Sequence, residues 1–328
     1  MTRVGIIGRG WGERSQAPNF RDAGLDVVAA VGRDGWQALI RRPDVDVISV
    51  AMPPAQHVDM SISALESGKH VICEKPTALN SSDAGRLITA ARMHPHQVAI
   101  IDHELRFLPS FLAARERFAE IGPIRFAEVR YASPSRGDRS RPWNWWSDAS
   151  QGGGVWGAVG SHFVDALRYL GCDIESVQAM LATIINERSG KPVTSDDFAA
   201  VHLRLNKGAL AAMTFSAVAS GPDEPTALTI HGEKGAFRLV GEELLFAQPR
   251  GAFARIAGGD LANRPGNSPG GAFGTGTYLL GVAIRRALDD GDRQALTPAA
   301  TFTDGLAQQR VLDAGRRSHA SGGRWEPV

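Results

Sequence analysis

The 328-residue sequence predicts an α/β domain with a doubly wound parallel sheet, followed by an α+β domain built on a mostly antiparallel open sheet. Over about the first hundred residues, short apolar runs alternate with segments of helical spacing, as βα units require. From Arg106 onward the runs alternate polar and apolar residues and carry turn signals such as Asn206–Gly208. We therefore place one domain at residues 1–105 and a second at 106–328, and expect the last helix to pack back on the first domain.

The composition is that of an ordinary globular protein and argues against two classes of partner. A formal net charge of +1 gives no electrostatic basis for binding nucleic acid or an acidic membrane. No apolar run is long enough to span a bilayer, and the N-terminus enters a strand at once, unlike a signal peptide. Cys73 and Cys172 each lie in or beside an apolar element, which favours free thiols in a reducing cytosol. We expect a cytoplasmic protein, and we predict no metal site.

A glycine-rich turn follows the first predicted strand, Val4–Ile7, and precedes a helix near residues 13–20. The turn contains Gly8, Gly10, Trp11 and Gly12. Glycines here allow a tight turn and a close approach to a pyrophosphate, which then lies on the helix N-terminus. Glu13 replaces the third glycine of the G-x-G-x-x-G fingerprint, and Gly12 comes one residue early. The pattern still predicts dinucleotide binding by a Rossmann-type fold.

The second strand, Leu25–Val31, is followed by Gly32, Arg33 and Asp34. A dinucleotide fold places an acidic residue here for the adenine ribose. Glycine at that position followed by Arg33 favours the 2′-phosphate of NADP, while Asp34 leaves open a bond to the 2′-hydroxyl of NAD. Only about a dozen residues separate this strand from the next, so the usual half-domain is abbreviated.

The remaining elements follow from apolar periodicity and from caps. In the first domain we predict strands at Val45–Ala51 and Val98–Ile101, and helices at His57–Glu66 and from the N-cap cluster Asn80–Asp83 to about Met93. In the second we predict helices near Pro109–Glu120, Val159–Leu170, Tyr278–Asp289 and Phe302–Ser318, and strands at Ile124–Tyr131, Val177–Glu187, Phe198–Leu205, Ala209–Ala217, Ala227–Gly232 and Gly235–Leu239. Residues 249–276 are rich in Gly and Pro and predict an exposed loop.

The short apolar run Val71–Cys73 predicts a buried strand and ends in Glu74, Lys75 and Pro76. Pro76 cannot extend a ladder, so the strand stops with both charged side chains at its carboxyl end. In an open α/β sheet that edge is where ligands bind. The two charged residues therefore either belong to a ligand site or form a solvated pair that closes an ordinary strand.

A predicted loop at Ser133–Asp148 concentrates aromatic and basic side chains. They are Arg136, Arg139, Arg141, Trp143, Trp145 and Trp146. Flat apolar rings pack on a sugar ring, and guanidinium groups bind carboxylate or phosphate. The same residues would equally serve packing at a domain junction or a subunit contact.

Beyond Glu74–Pro76, the chain carries the glycine run Gly152–Gly154 and then Gly160–Asp165, which has the sequence Gly-Ser-His-Phe-Val-Asp on a predicted helix. Together with the N-terminal glycine turn, these motifs resemble those of the Gfo/Idh/MocA oxidoreductases. The segment Asp102–Phe107 also looks like the family segment that enters the second domain. The resemblance extends from Val4 to about His319.

The resemblance implies a first domain that binds NAD or NADP and a second that presents a sugar, cyclitol or similar polyol to the nicotinamide. Lys75 then matches the lysine near the reacting oxygen, and His162 matches the histidine that acts as acid or base. We expect the substrate-binding residues to be Arg106, Trp143, Trp146, Ser161 and Asp165. We expect the cofactor-binding residues to be Gly8, Gly10, Trp11, Gly12, Arg33, Asp34, Met52, Pro53, His57, Glu74, Lys75 and Glu104.

The chain departs from the family pattern at Ala158. Family dehydrogenases commonly carry Asp at this position, four residues before the histidine, where a carboxylate would orient the imidazole and raise its basicity. Three interpretations remain open. His162 works with Lys75 alone, another carboxylate such as Asp165 or Glu104 substitutes, or the activity differs from alcohol oxidation.

The predicted function is hydride transfer between a nicotinamide and a carbinol or carbonyl carbon of a sugar, sugar acid or cyclitol. One alternative is a reductase of the same fold that acts on an imine or a conjugated double bond. Another is a cofactor-binding sensor or partner protein without turnover. We also expect a homodimer or homotetramer, because exposed faces of large antiparallel sheets often pair.

Overall fold

The computed structural model describes residues 1–222, 224–259, 266 and 268–328. The chain divides into two units, of which unit 1 comprises Met1–Leu108 and Asp260–Ala307, and unit 2 comprises Pro109–Gly259 and Gln308–Val328. Leu108 lies close to the boundary predicted at 105/106. The prediction assigned residues 260–307 to the second domain, whereas they belong to unit 1. The chain therefore returns to unit 1 before it ends in unit 2.

The elements are numbered in chain order. The strands are β1 (Arg3–Ile7), β2 (Asp26–Val31), β3 (Val47–Val50), β4 (His70–Cys73), β5 (Ala99–Ile101), β6 (Ile124–Ala132), β7 (Ile174–Ala182), β8 (Glu187–Arg188), β9 (Lys191–Pro192), β10 (Phe198–Leu205), β11 (Leu210–Ser216), β12 (Ala227–Gly232), β13 (Ala236–Val240), β14 (Glu243–Ala247), β15 (Ala254–Gly258), β16 (Ala300–Thr301) and β17 (Glu326–Pro327). The helices are α1 (Ala17–Asp22), α2 (Trp36–Ile40), α3 (His57–Glu66), α4 (Ser81–Met93), α5 (Pro109–Glu116), α6 (Ser161–Tyr169), α7 (Gly271–Asp289) and α8 (Phe302–Ala320).

Unit 1 is built on a six-stranded sheet of order β16-β5-β4-β3-β1-β2. Strands β1 to β5 are parallel, and β16 adds an antiparallel edge. The chain reverses its direction across the sheet between β1 and β3, which makes their carboxyl ends a topological switch point. The sheet register aligns Ile7 with Val50, Val50 with Cys73, and Cys73 with Ile101. The residues that follow these four strands therefore meet at one edge.

Helices cover both faces of this sheet, which confirms the predicted doubly wound architecture. On one face α2, α3 and α4 pack around Ile7, Val50 and Cys73. On the other face α1 and α7 pack around Ile6 and Ile72. Successive side chains of a strand point to opposite faces, so the uninterrupted apolar runs of β1, β3 and β4 fill two cores at once.

Unit 2 is built on a nine-stranded sheet of order β15-β14-β13-β12-β6-β11-β10-β7-β17. Only β6 and β11 pair in parallel among the described strands of this sheet, so the predicted mostly antiparallel sheet is confirmed. Along β11, buried and exposed residues alternate strictly from Leu210 to Phe215. This alternation gives the sheet one face packed against helices and one free face.

Two predictions made for the second domain, residues 106–328, are wrong in detail. The strand predicted at Val177–Glu187 is β7, which ends at Ala182, where its pairing with β10 ends at Phe198. The exposed loop predicted at 249–276 contains β15 and the start of α7. Residues 260–265 and 267 of that prediction lie outside the described residues. β15 forms within this Gly- and Pro-rich stretch because it pairs with β14, so pairing between strands overrides local propensity.

Both cysteines are free and buried, as the sequence predicts. Burial raises the pKa of the Cys73 and Cys172 thiols to about 12 in each case. Both are therefore protonated and unreactive near neutral pH. In the part of the chain that the structure describes, no helix has the length and apolar character needed to cross a membrane.

Candidate functional site

The glycine turn after β1 is shaped by close packing against β3. Gly8 has φ +147°, and a Cβ at this position would lie 2.2 Å from the carbonyl oxygen of Ala51. A Cβ at Gly12 would lie 2.7 Å from Cγ2 of Ile6. Neither the backbone of Ala51 nor the buried side chain of Ile6 can move far enough to make room for a Cβ, so Gly8 and Gly12 both require glycine.

Gly10 differs from its neighbours, because a Cβ built there meets no atom within 4 Å. The next turn, Gly12–Gln16, is π-helical and opens with bonds from Glu13 N to Gly8 O (3.0 Å) and from Arg14 N to Gly10 O (3.1 Å). The backbone N–H groups of the residues just before Glu13 come before the first of these hydrogen bonds. N–H groups at the start of a helix have no partner within the helix. Backbone N–H groups beside open space suit a pyrophosphate, so the residues present fit a dinucleotide.

The carboxyl end of β2 carries two arginines. Arg33 and Asp34 form a short 3₁₀ turn, and Nε of Arg33 donates to Oε1 of Gln56 (3.1 Å). A Cβ at Gly32 would lie 3.6 Å from Nε of Arg9, which places that side chain at the same strand end. In a dinucleotide fold this is the end that receives the adenine ribose. Positive charge therefore outweighs the single carboxylate of Asp34 here.

The turn after β3 contains Met52 and Pro53 and leads to His57, the first residue of α3. The His57 ring is fully buried, with Nε2 2.6 Å from the Met52 carbonyl oxygen and Nδ1 3.0 Å from that of Pro76. Burial lowers the pKa of His57 to about 4, so the ring is neutral and has one N–H for these two acceptors. The expectation that His57 binds the cofactor is therefore corrected. The ring is enclosed and supports the two turns from inside.

Glu74 and Asp102 are held together at the edge of the sheet. Cys73 pairs with Ile101 in the parallel sheet. Glu74 and Asp102, which follow these two residues, therefore lie side by side at the carboxyl edge of the sheet. The Gln16 amide nitrogen donates to Oε1 of Glu74 (3.0 Å) and to Oδ2 of Asp102 (2.8 Å). The Gln16 amide oxygen accepts a hydrogen bond from Ser49 (2.7 Å). One oriented amide thus bridges two carboxyl groups.

Both carboxyl groups are buried. Burial raises the pKa of Glu74 well above its ordinary value, and the neighbouring Asp102 raises it further. Burial also raises the pKa of Asp102, although hydrogen bonds from Gln16 and Glu74 oppose the effect. Two carboxylates this close in a poorly solvated place do not ionise together. The raised pKa values of Glu74 and Asp102 therefore favour a proton shared by the pair, with the larger upward shift at Glu74.

Lys75 adds a positive charge to this cluster. Its ammonium group lowers the pKa of both Glu74 and Asp102, against the larger effect of burial, so it lies near the pair. Its backbone N–H donates to Oε2 of Glu74 (3.1 Å), and the Lys75–Pro76 peptide bond is cis. The structure thus gives Lys75 a nearby anionic partner, and the motif is not merely a solvated pair closing a strand.

Two more predicted residues lie in the 3₁₀ turn after β5. Glu104 is buried and its charge contributes to the raised pKa of Glu74, so it belongs to the same cluster. Arg106 is also buried, with Nη2 3.3 Å from Oδ1 of Asp304 at the start of α8. Arg106 therefore forms an ion pair within unit 1, and its predicted substrate contact stays a prediction.

In unit 2, His162 lies buried in the first turn of α6, directly after the π-helical turn Trp156–Gly160. Trp156 and Phe163 pack on Phe215 of β11, with ring centroids 6.1 and 5.9 Å away. The indole N–H of Trp156 donates to the Leu312 carbonyl (3.1 Å). These contacts fix the helix start from both sides. π-Helical turns recur at functional sites. In this chain one lies in the predicted cofactor turn, at Gly12–Gln16, and another directly precedes the helix that carries His162.

The turn before His162 does not replace the missing carboxylate. Ala158 is buried within Trp156–Gly160, a segment that has no acidic side chain. Asp165 is buried on α6, three residues after His162, and positions three apart share one face of a helix. Ser161 is buried beside it, and its carbonyl accepts a hydrogen bond from Gln308 (2.8 Å). Asp165 therefore lies on the same helix face as His162, and its role as the substitute carboxylate stays a prediction.

The aromatic loop is anchored to the hairpin β8–β9. The indole N–H of Trp143 donates to the Pro192 carbonyl (3.0 Å), and Nζ of Lys191 lies 5.4 Å from its ring centroid. The Arg136 guanidinium lies 4.3 Å from the centroid of the Trp146 ring. The two predicted tryptophans therefore make different contacts. Trp143 anchors the loop to the hairpin, whereas the ring of Trp146 stacks with the Arg136 guanidinium.

Sequence reasoning missed Gln16 and the pairing of Glu74 with Asp102. A signal for Asp102 exists, because it follows the strand next to β4 in a parallel sheet. Gln16 gives no such signal, since its position depends on the π-helical register of Gly12–Gln16.

A parallel sheet with a glycine turn at its switch point, together with a lysine at the end of β4, defines a dinucleotide-binding oxidoreductase fold. A sequence profile for an oxidoreductase family with an NAD-binding Rossmann fold matches residues 28–101, and the profile of the GFO/IDH/MocA C-terminal domain matches residues 111–238. Glucose-fructose oxidoreductase domain-containing protein 2 of Xenopus tropicalis is 31% identical over 99% of this chain and 93% of its own length. The chain belongs to the GFO/IDH/MocA family of oxidoreductases.

Solved structures agree with this fold. An oxidoreductase domain protein from Kribbella flavida has a TM-score of 0.85 and 25% identity, with complete coverage of both chains. A levoglucosan dehydrogenase in complex with NADH and L-sorbose also has a TM-score of 0.85, at 23% identity over 100% of this chain and 98% of that one. The second similarity establishes the fold alone.

Proposed function

We propose that this protein is an NAD(P)-dependent oxidoreductase that transfers a hydride between the nicotinamide and a carbinol or carbonyl carbon of a sugar, sugar acid or cyclitol. The observation that carries the proposal is the position of Lys75. It follows β4 at the edge where the glycine turn, Glu74 and Asp102 also lie. The levoglucosan dehydrogenase of the same fold, which holds NADH and L-sorbose, supports the substrate class.

The chain would bind the cofactor through the backbone of Gly8–Gly12, with Arg33 and Asp34 toward the adenine ribose and Met52 and Pro53 lining the next turn. When bound, the nicotinamide supplies or accepts the hydride. Lys75, as an ammonium, stabilises the negative charge that develops on the substrate oxygen. The pair formed by Glu74 and Asp102 keeps a compensating negative charge behind it.

His162 takes the hydroxyl proton in the oxidative direction and returns it in reduction. A neutral imidazole is the side chain best suited to this near pH 7, and such a base contributes roughly 10²–10⁴-fold to the rate. Asp165, three residues further along α6, replaces the carboxylate that the family commonly places where this chain has Ala158. Lys75 thus stabilises the charge on the substrate oxygen, and His162 transfers the proton.

We further propose a preference for NADP over NAD, because Arg33 and Arg9 both lie at the end of β2. A 2′-phosphate would find guanidinium donors there, whereas a free 2′-hydroxyl would have Asp34 alone.

Ala158 favours a second candidate function, the reduction of an imine or a conjugated double bond. In such a reaction the proton is delivered to nitrogen or carbon, so a carboxylate that raises the basicity of His162 is less important. A panel of aldoses, uronates, inositols, cyclic imines and enones, assayed with each nicotinamide cofactor, separates the two. Turnover of polyols supports the first function, and turnover confined to imines or enones supports the second. Cofactor binding without any turnover would contradict both.

A further inference from the structure

The loop 133–148 of unit 2 brings three guanidinium groups together, and two of them hold the loop in place. Arg188 donates to the carbonyl oxygens of Arg136 and Asp138. Arg141 donates to the carbonyl oxygen of Ser135. These contacts with backbone carbonyls fix the conformation of the loop.

The Arg136 guanidinium is half-buried and lies over the ring of Trp146, 4.3 Å from the centroid. Within the described part of the chain it has no hydrogen-bond acceptor and no carboxylate within ion-pair distance. Burial, together with the charges of Arg141 and Arg188, lowers the pKa of Arg136 to about 10. A half-buried guanidinium beside two other cations is a favourable place for an anion to bind.

Two carboxylates of this region bind other groups. Asp138 accepts hydrogen bonds from the backbone and hydroxyl of Ser140. Asp197 accepts from the N–H groups of Ile184 (2.7 Å) and Ile185 (2.8 Å). Because these acids bind backbone donors, the edge of the Arg136 guanidinium is left for an anion from outside the chain.

The wall of the cleft beside Arg136 is hydrogen-bonded to the segment that leads to His162. The cleft is small, about 20 Å³, and its wall includes Trp146, Ser195 and the two carboxylates of Asp196 and Asp197. Ser195 donates to the Trp146 carbonyl (2.6 Å), and the Asp196 carboxylate accepts from the N–H of Trp156 (2.7 Å). Trp156 begins the π-helical turn before α6. A ligand group on Arg136 is therefore held by the same framework that positions His162.

We propose that Arg136, stacked on Trp146, binds the carboxylate of the substrate, which makes the substrate a sugar acid and not a neutral sugar or cyclitol. This inference rests on the proposed function and narrows its substrate class. A planar guanidinium presents paired N–H groups that match the two oxygens of a carboxylate, and stacking on an indole keeps those groups in the plane of approach. One unoccupied guanidinium suits a monoanion better than a phosphate dianion.

The test compares matched ligands by titration calorimetry: glucuronate with glucose and glucose 6-phosphate, and galacturonate with galactose. The Arg136→Gln variant should lose about 10- to 100-fold in affinity for the preferred uronate, the effect of removing one charge-assisted bidentate contact. Arg136→Lys, which keeps the charge but not the fork, should lose an intermediate amount. Arg139→Gln, an exposed arginine of the same loop, is the matched control and should bind like the wild type.

The inference is overturned if no uronate binds better than its neutral partner, if the phosphate ester binds better, or if Arg136→Gln leaves uronate affinity unchanged. These outcomes are separable from the proposed function. Turnover of neutral polyols without a preference for uronates would support the proposed oxidoreductase function and contradict the binding of a substrate carboxylate by Arg136. Uronate binding that depends on Arg136, without turnover of any polyol, would support carboxylate binding by Arg136 and contradict the proposed oxidoreductase function.

Discussion

Glu74 and Asp102 end adjacent parallel strands, and the amide nitrogen of Gln16 lies within 3.0 Å of an oxygen from each. The register of the sheet and the Gln16 amide thus hold two buried carboxyl groups together, which favours a proton shared between them. The pair lies near Lys75. This arrangement gives the lysine an anionic support that the sequence motif alone does not show.

Glu74→Gln tests the shared proton. An amide reproduces the size and the donor of a protonated carboxyl group, so this change should alter the free energy of unfolding by less than about 1 kcal/mol. Glu74→Ala should cost about 2–4 kcal/mol, because it leaves a cavity and removes a partner of Gln16. Urea denaturation at pH 7 measures both, and infrared spectroscopy should show a protonated carboxyl band that disappears in Glu74→Gln. Equal destabilisation by Gln and Ala would mean that Glu74 is ionised.

Gly10→Ala separates cofactor binding from folding. The added methyl group meets no protein atom within 4 Å, so the melting temperature should not change. The same methyl group occupies space intended for the pyrophosphate, so affinity for NADH and NADPH should fall at least about tenfold, by 1.4 kcal/mol or more. Gly8→Ala is the contrasting variant, and should destabilise the protein by about 2 kcal/mol or more, since it combines an unfavourable φ with contact at 2.2 Å. Unchanged cofactor affinity in Gly10→Ala would place the pyrophosphate elsewhere.

His57 should make stability depend on pH. Its pKa is about 4 in the folded protein and about 6.5 when unfolded, so the unfolded chain binds more protons between these values. The stabilisation present above pH 6.5 is therefore lost as the pH falls toward 4, by roughly 3 kcal/mol in total. The raised pKa values of Glu74 and Asp102 act in the opposite direction, since they stabilise at low pH and lose that effect as the pH rises.

The difference between wild type and His57→Gln isolates this contribution, because the carboxyl groups affect both proteins. The free energies of unfolding should differ most near pH 7 and converge toward pH 4. His96→Gln, an exposed replacement, controls for the loss of a histidine. A difference that stays constant from pH 7 to 4 would show that His57 is not buried as a neutral ring.

Arg33 should set cofactor preference. Replacing Arg33 by Gln removes a cation at the end of β2 and should weaken NADPH binding about tenfold or more, while NADH binding changes little. Nicotinamide fluorescence measures both affinities. Equal losses for the two cofactors would indicate that Arg33 acts only by holding Gln56.

Local patterns predicted the elements of unit 1 well, and long-range contacts account for most of what they missed. Helices α3 and α4 begin and end as predicted, and Asn80 caps α4 by accepting from Asp83 N (2.9 Å). The return of α7 to unit 1 depends on packing of its apolar face against α1. No local signal encodes that contact, just as none indicates that Gln16 will reach two strand ends.

The most direct test of the account is the pair of measurements on Lys75→Ala. We predict that the variant binds NADH and NADPH within about tenfold of the wild type, because the glycine turn and the end of β2 are intact, and that turnover is abolished. Lys207→Ala, an exposed lysine in unit 2, serves as the control. Turnover unchanged in Lys75→Ala would contradict the assignment of the reacting oxygen to this lysine.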